Sequence, residues 1–172
     1  MGTQGGFGKG GHRGYATQSL IFLSLLINIL IVPEEVKKFS IDRVSEILNR
    51  EFPEIHFAMI FGSSSDGKIR KNSDVDLGIY IDIASDKAEI IPGISIALAD
   101  IIPEDILDIS ILNSAGPILR FEALQGKILF VRNDAEQLFS DFYAITCAEY
   151  EDQTFWMKKQ LEYRGYEVQW GN

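Results

Sequence analysis

Residues 74–83 alternate without a break. Val75, Leu77, Ile79, Ile81 and Ile83 are apolar, and Asp74, Asp76, Gly78, Tyr80 and Asp82 fall between them. A period of two belongs to a strand with one buried face. Such a strand needs partners, and the neighbouring sequence supplies them. Ile55 to Phe61 is a short, nearly continuous apolar run between Pro53 and Gly62, which predicts a buried strand. Ile106 to Leu112 reads as a third strand and Lys127 to Val131 as a fourth. Helical spacing predicts a helix that starts at Pro33-Glu34-Glu35 and carries Val36, Phe39, Val44, Ile47 and Leu48. Further helices are expected over Ile90 to Ile101, over 117–124, and from Asp134 to about Tyr163. The pattern is α+β: a small mixed β-sheet flanked by helices.

The chain has 172 residues, room for one domain with one sizeable core. Its first 33 residues differ from the rest. Seven of the 15 glycines lie within positions 1–14, no Asp or Glu precedes Glu34, and an apolar run follows from Leu20 to Val32. A basic start before an apolar run resembles a signal peptide, but no small-x-small cleavage site follows. The run is also shorter than the roughly 20 residues that span a bilayer. Two readings stand: a membrane-surface or partner-binding helix, or an extension added by a mis-assigned start, which we favour. Residues 34–172 are expected to form the domain, with no stable membrane insertion and a cytoplasmic location.

Net charge is −9 and the pI about 4.7, so nucleic acid phosphates are repelled unless a local basic groove exists. The basic residues are scattered, which argues against direct nucleic acid binding. Cys147 is the single cysteine, so neither an intrachain disulfide nor a CxxC metal site can form.

Chemistry concentrates between Gly62 and Leu77. Asp74 and Asp76 are two apart on a strand, so both carboxylates leave one face with α-carbons roughly 7 Å apart. Like charges so placed repel, and a cation between them relieves the cost. Mg²⁺ suits such a pair, because it takes a few carboxylates together with substrate phosphate oxygens. Gly62 and Ser63 end the preceding strand. A glycine there lets backbone N–H groups approach a phosphate, and the serine hydroxyl can donate to one. Asp108 sits between Leu107 and Ile109, and a carboxylate in so apolar a strand is costly unless paired or metal-bound. A Ser-Asp-x-Asp run alone is weak, since calcium loops contain it. An EF-hand would need an acid near Ala84 or Ser85, which is absent.

Gly62-Ser63, ten residues and Asp74-Val75-Asp76 together resemble the signature of the nucleotidyltransferase superfamily. The likeness is to the minimal nucleotidyltransferases that act as antitoxins beside HEPN-domain toxins. Ser73 matches the serine that often precedes the first aspartate. Leu107-Asp108-Ile109-Ser110-Ile111-Leu112-Asn113 resembles the family's third-carboxylate strand, and Pro117 to Glu122 with Gly126-Lys127 also look like the family. The resemblance covers residues 34–150 and implies the nucleotidyltransferase fold. It implies two Mg²⁺ ions on Asp74, Asp76 and Asp108, and ATP seated on Gly62, Ser63 and Ser73. It further implies AMP transfer to a tyrosine of a partner HEPN toxin, with which the chain would form a hetero-oligomer. The chain departs from the family at Ser65-Asp66-Gly67, where Ala-Arg-Gly is common. Lys68, Arg70 or Lys71 could supply the missing charge. The alternatives are a binding antitoxin whose site has decayed, or transfer to a small-molecule acceptor, for which no acceptor-binding domain is expected.

Overall fold

The computed structural model describes residues 37–166. The expected helix start at Pro33 and the whole 1–33 segment lie outside the described residues. Chain order is β1 (Lys37–Lys38), α1 (Ile41–Glu51), β2 (Ile55–Phe61), β3 (Lys68–Ile69), β4 (Val75–Ile81), α2 (Lys87–Leu98), β5 (Leu107–Ile111), α3 (Pro117–Gln125), β6 (Lys127–Val131) and α4 (Glu136–Tyr163). The fold is α+β, as expected. Four strands form one sheet in the order β5-β4-β2-β6. β2 runs antiparallel to both β4 and β6, and β4 runs parallel to β5, so the sheet is mixed. α2 lies within the connection that the parallel β4–β5 pair requires.

Each face of the sheet has its own core. Ala58 and Ile60 of β2, with Val75, Leu77, Ile79 and Ile81 of β4, pack with Val44 and Leu48 of α1 and Ile90, Ile94 and Leu98 of α2. Phe57, Met59 and Phe61 point the other way and pack with Ala123 of α3 and Phe142 of α4. A register shift between Ile55 and Phe57 lets Ile55 join Ala58 in the first core although three positions separate them. This explains why β2 reads as continuously apolar: it is central and covered on both sides.

The first helix is shorter than the sequence predicts. Phe39 is not helical, and Lys37–Lys38 pair with Lys68–Ile69 in a two-stranded ribbon. The reason is Ser40, whose hydroxyl accepts from the Arg43 N–H and caps the helix there. The second helix instead starts earlier than expected, at Lys87, because Asp86 accepts from the Ala88 N–H. β4 ends at Ile81, where Asp82 turns the chain by accepting from the Ala84 N–H, and Ile83 is left 97% exposed.

Arg132, just after β6, ties the sheet to α1. Its Nε donates to the Ile55 carbonyl at 2.6 Å, and its Nη2 to the carbonyls of Asn49 and Phe52 at 2.9 and 3.0 Å. A cation on the last carbonyls of a helix satisfies orphan acceptors and complements the dipole. Arg132→Ala should therefore cost about 2 kcal/mol, read as a lower urea midpoint at unchanged slope.

Among the described residues no helix is long and apolar enough to cross a membrane.

Candidate active site

The β4–β5 register decides the geometry of the acidic residues. Asp76 stands directly beside Asp108, Val75 beside Leu107 and Leu77 beside Ile109. Leu77, Leu107 and Ile109 face the first core, so Asp76 and Asp108 emerge together on the opposite face. Asp74 precedes β4 by one residue and lies two positions from Asp76. Asp74 and Asp108 are exposed and Asp76 is half-buried. Asp76 and Asp108 share a face and the charge of Asp74 reaches Asp76, but the three do not close up: among the described residues no three His, Cys, Asp or Glu side chains form a group able to enclose a cation.

β2 delivers the chain to the same edge. Phe61 pairs with Asp76, and Gly62 follows in a short 3-10 turn over Gly62–Ser64. Gly62 has φ +66, and a Cβ there would lie 2.2 Å from Asp76 Oδ2. The glycine is thus required twice, by its left-handed backbone and by the nearness of the carboxylate. Ser63 is exposed on the turn. Ser64 is fully buried, and its hydroxyl donates to the Asp74 carbonyl at 2.8 Å, tying the turn to the start of β4. Ser73 serves the loop: its hydroxyl donates to the Arg70 carbonyl and accepts from the Arg70 N–H, both at 2.9 Å.

A pocket of about 490 Å³ opens beside this edge. Phe61, Gly62, Ser65 and Asp76 line one side, and Leu119, Glu122, Gln125 and Gly126 the other. Asp74, Asp108 and Ser63 are not among these lining residues. Glu122 and Ser64 went unnoticed in the sequence as site residues. Glu122 had a signal only in retrospect, as the acid of the short helix that returns to the sheet. Ser64 had none, because its value lies in a contact ten residues away.

Asp76 feels all of this. Burial pushes its carboxyl above the ordinary range, and the charges of Asp108, Asp74 and Glu122 push it further. The sign follows from linkage: folded Asp76 holds its proton to higher pH than the unfolded chain does. Its contribution to stability is present below the ordinary carboxylate pKa and is lost as pH rises through the raised value. In metal-free buffer at neutral pH, Asp76→Asn should melt above wild type by a few degrees, for up to about 1 kcal/mol of screened repulsion removed. The difference should close below the ordinary carboxylate range. Melting curves across pH check both halves.

The sequence of residues 42–135 matches the family described as polymerase beta, nucleotidyltransferase. The chain belongs to that family. Solved structures agree on the fold. A chain of the toxin–antitoxin complex with AMP-PNP is 20% identical, with a TM-score of 0.56, over 74% of this chain and 99% of that one. A mutant of the toxin–antitoxin MntA–HpeT gives 21% identity and a TM-score of 0.57 over 75% and 100%. A tri-AMPylated Shewanella oneidensis HEPN toxin in complex with MNT antitoxin gives 18% and 0.52 over 73% and 96%. No curated protein matches the sequence. As a nucleotidyltransferase, the chain fits a hard divalent cation by its donors. The charges that act on Asp76 are the carboxylates of Asp108, Asp74 and Glu122, oxygen donors of the kind such a cation takes, and a cation would relieve their repulsion.

Proposed function

We propose that this nucleotidyltransferase is an antitoxin that transfers AMP from ATP to a tyrosine of a HEPN-domain toxin, in the cytoplasm. The observation that carries the reading is Asp76 abreast of Asp108 on one sheet face, with the Gly62 turn against Asp76. Structures of similar fold support the acceptor: one holds a tri-AMPylated HEPN toxin with its MNT antitoxin, another a toxin–antitoxin with AMP-PNP. The far half of α4 supports a protein acceptor as well, since Phe155 is 53% and Trp156 63% exposed there.

In this reading Asp74, Asp76 and Asp108 are the residues that would hold two Mg²⁺ ions. When bound, Mg²⁺ neutralises phosphate and leaving-group charge and makes the acceptor hydroxyl more acidic. Gly62 lets the turn's backbone N–H groups come close to the triphosphate, and the exposed Ser63 hydroxyl donates to it. Ser73 acts through the turn it fixes with Arg70. Asp108, exposed beside Asp76, accepts the proton of the tyrosine hydroxyl as that oxygen bonds to the α-phosphorus and the α–β phosphoanhydride bond breaks, releasing pyrophosphate.

The test is pyrophosphate release from ATP, followed with and without the HEPN protein. Release should require both proteins and a divalent ion. Release without the HEPN protein but with a small hydroxyl compound would move the acceptor to another class. Neutralisation of the toxin with no release would mean an antitoxin that works by binding alone.

A further inference from the structure

The loop between Gly62 and β4 contains an acid where a phosphate site needs a base. Asp66 does not act as a free charge. Lys68 Nζ and Arg70 Nη2 each lie 3.0 Å from its Oδ2, and the Lys68 N–H donates to its Oδ1. Arg70 also reaches back to the turn itself: its Nη1 donates to the Ser63 carbonyl. The backbone of Arg70 is fixed in turn by both hydrogen bonds of Ser73. Two contacts of the guanidinium, on a backbone fixed by Ser73, therefore place it over the Gly62–Ser63 turn. Among the described residues the Lys68 side chain pairs with Asp66 alone, and Lys71 has no described contact with the turn.

A guanidinium presents five N–H donors in a rigid fork, and the described contacts use two of them. Its side chain remains 39% exposed, so the free edge can meet a ligand. The site next to the turn is acidic, since Asp108, Asp74 and Glu122 all act on Asp76, and the phosphates of a nucleotide are themselves anionic. A cation beside the turn is what binding such a ligand needs, and arginine takes two phosphate oxygens at once.

We propose that Arg70 binds the β- and γ-phosphates of the nucleoside triphosphate, and that Asp66 is a positioning residue that holds it over the Gly62–Ser63 turn. This rests on the nucleotidyltransferase reading and adds to it the residue that distinguishes triphosphate from monophosphate. The acid at position 66 then aids nucleotide binding by orienting a base from four residues later.

Calorimetric titration of the whole chain with ATP and with AMP, both with Mg²⁺, tests this. Arg70→Ala should raise the ATP Kd about 10-fold, or about 1.4 kcal/mol, and shift the AMP Kd less than about 2-fold. Arg70→Lys should retain part of the affinity, since it keeps charge without the fork. Asp66→Ala should weaken ATP binding in the wild-type background and add nothing to Arg70→Ala, the signature of one residue acting through another. Equal losses for ATP and AMP, or additive losses in the double variant, would overturn the assignment. An unchanged ATP Kd in Arg70→Ala would overturn it while leaving the nucleotidyltransferase reading intact. A wild type that binds no ATP would remove both.

Discussion

Asp76→Asn should lower AMP transfer to the HEPN protein by at least about 100-fold, equivalent to about 2.7 kcal/mol of transition-state stabilisation. The substitution keeps the side chain's size and leaves an amide where the site needs a carboxylate. Asp76 is the acidic residue most embedded in the site. It pairs across to Phe61, stands beside Asp108, lies against Gly62 and lines the pocket with Glu122. Binding of the toxin should survive, because nothing on α4 changes. The same variant should be the more heat-stable protein in metal-free buffer, for the reason given by its raised pKa. Lost turnover together with gained stability marks a residue kept for chemistry. Single-turnover transfer rates with labelled ATP measure the first, and equal rates for both proteins would take Asp76 out of the mechanism.

The second large effect is on folding. Gly126→Ala should destabilise the domain by about 3 kcal/mol, the upper range for overpacking. A Cβ at Gly126 would lie 2.3 Å from the Ile60 carbonyl oxygen and 2.8 Å from Phe61 Cα. These are backbone atoms of the central strand, so no side-chain rotation can relieve the clash. Gly126 closes α3 and hands the chain to β6, which pairs with that strand from Lys127 onward. A free energy of unfolding in urea within about 0.3 kcal/mol of wild type would show that β2 and β6 can part without cost. Gly116, with nothing near its Cβ position, is the control: Gly116→Ala should change little.

What the sequence revealed follows from how local each signal is. The alternation over residues 74–83 gave β4 and its two faces, because strand phase is written in consecutive residues. Asp108 could be placed on a face for the same reason. That Asp76 and Asp108 are neighbours could not be read this way, since strand order and register depend on partners far along the chain. The short ribbon of Lys37–Lys38 with Lys68–Ile69 was hidden, because one partner falls within the expected first helix and the other within the loop after Gly62. Asp66 looked like a defect because its ion pairs with Lys68 and Arg70 exist only once the loop is folded. The helix starts at Ile41 and Lys87 were misplaced because hydrophobic spacing outweighed the caps at Ser40 and Asp86. Glu122 entered the site only when α3 packed beside β2.

Nucleotidyl transfer and phosphoryl transfer leave different phosphates on the acceptor, so the position of a label separates them. The chain, the HEPN protein and Mg²⁺ would be incubated with ATP labelled at either its α- or its γ-phosphate. The HEPN protein would then be digested and its tyrosine peptides analysed. The account predicts α-label on a tyrosine and γ-label only in released pyrophosphate. Label from the γ-phosphate on the HEPN protein, or no label from either position while the toxin is still neutralised, would contradict it.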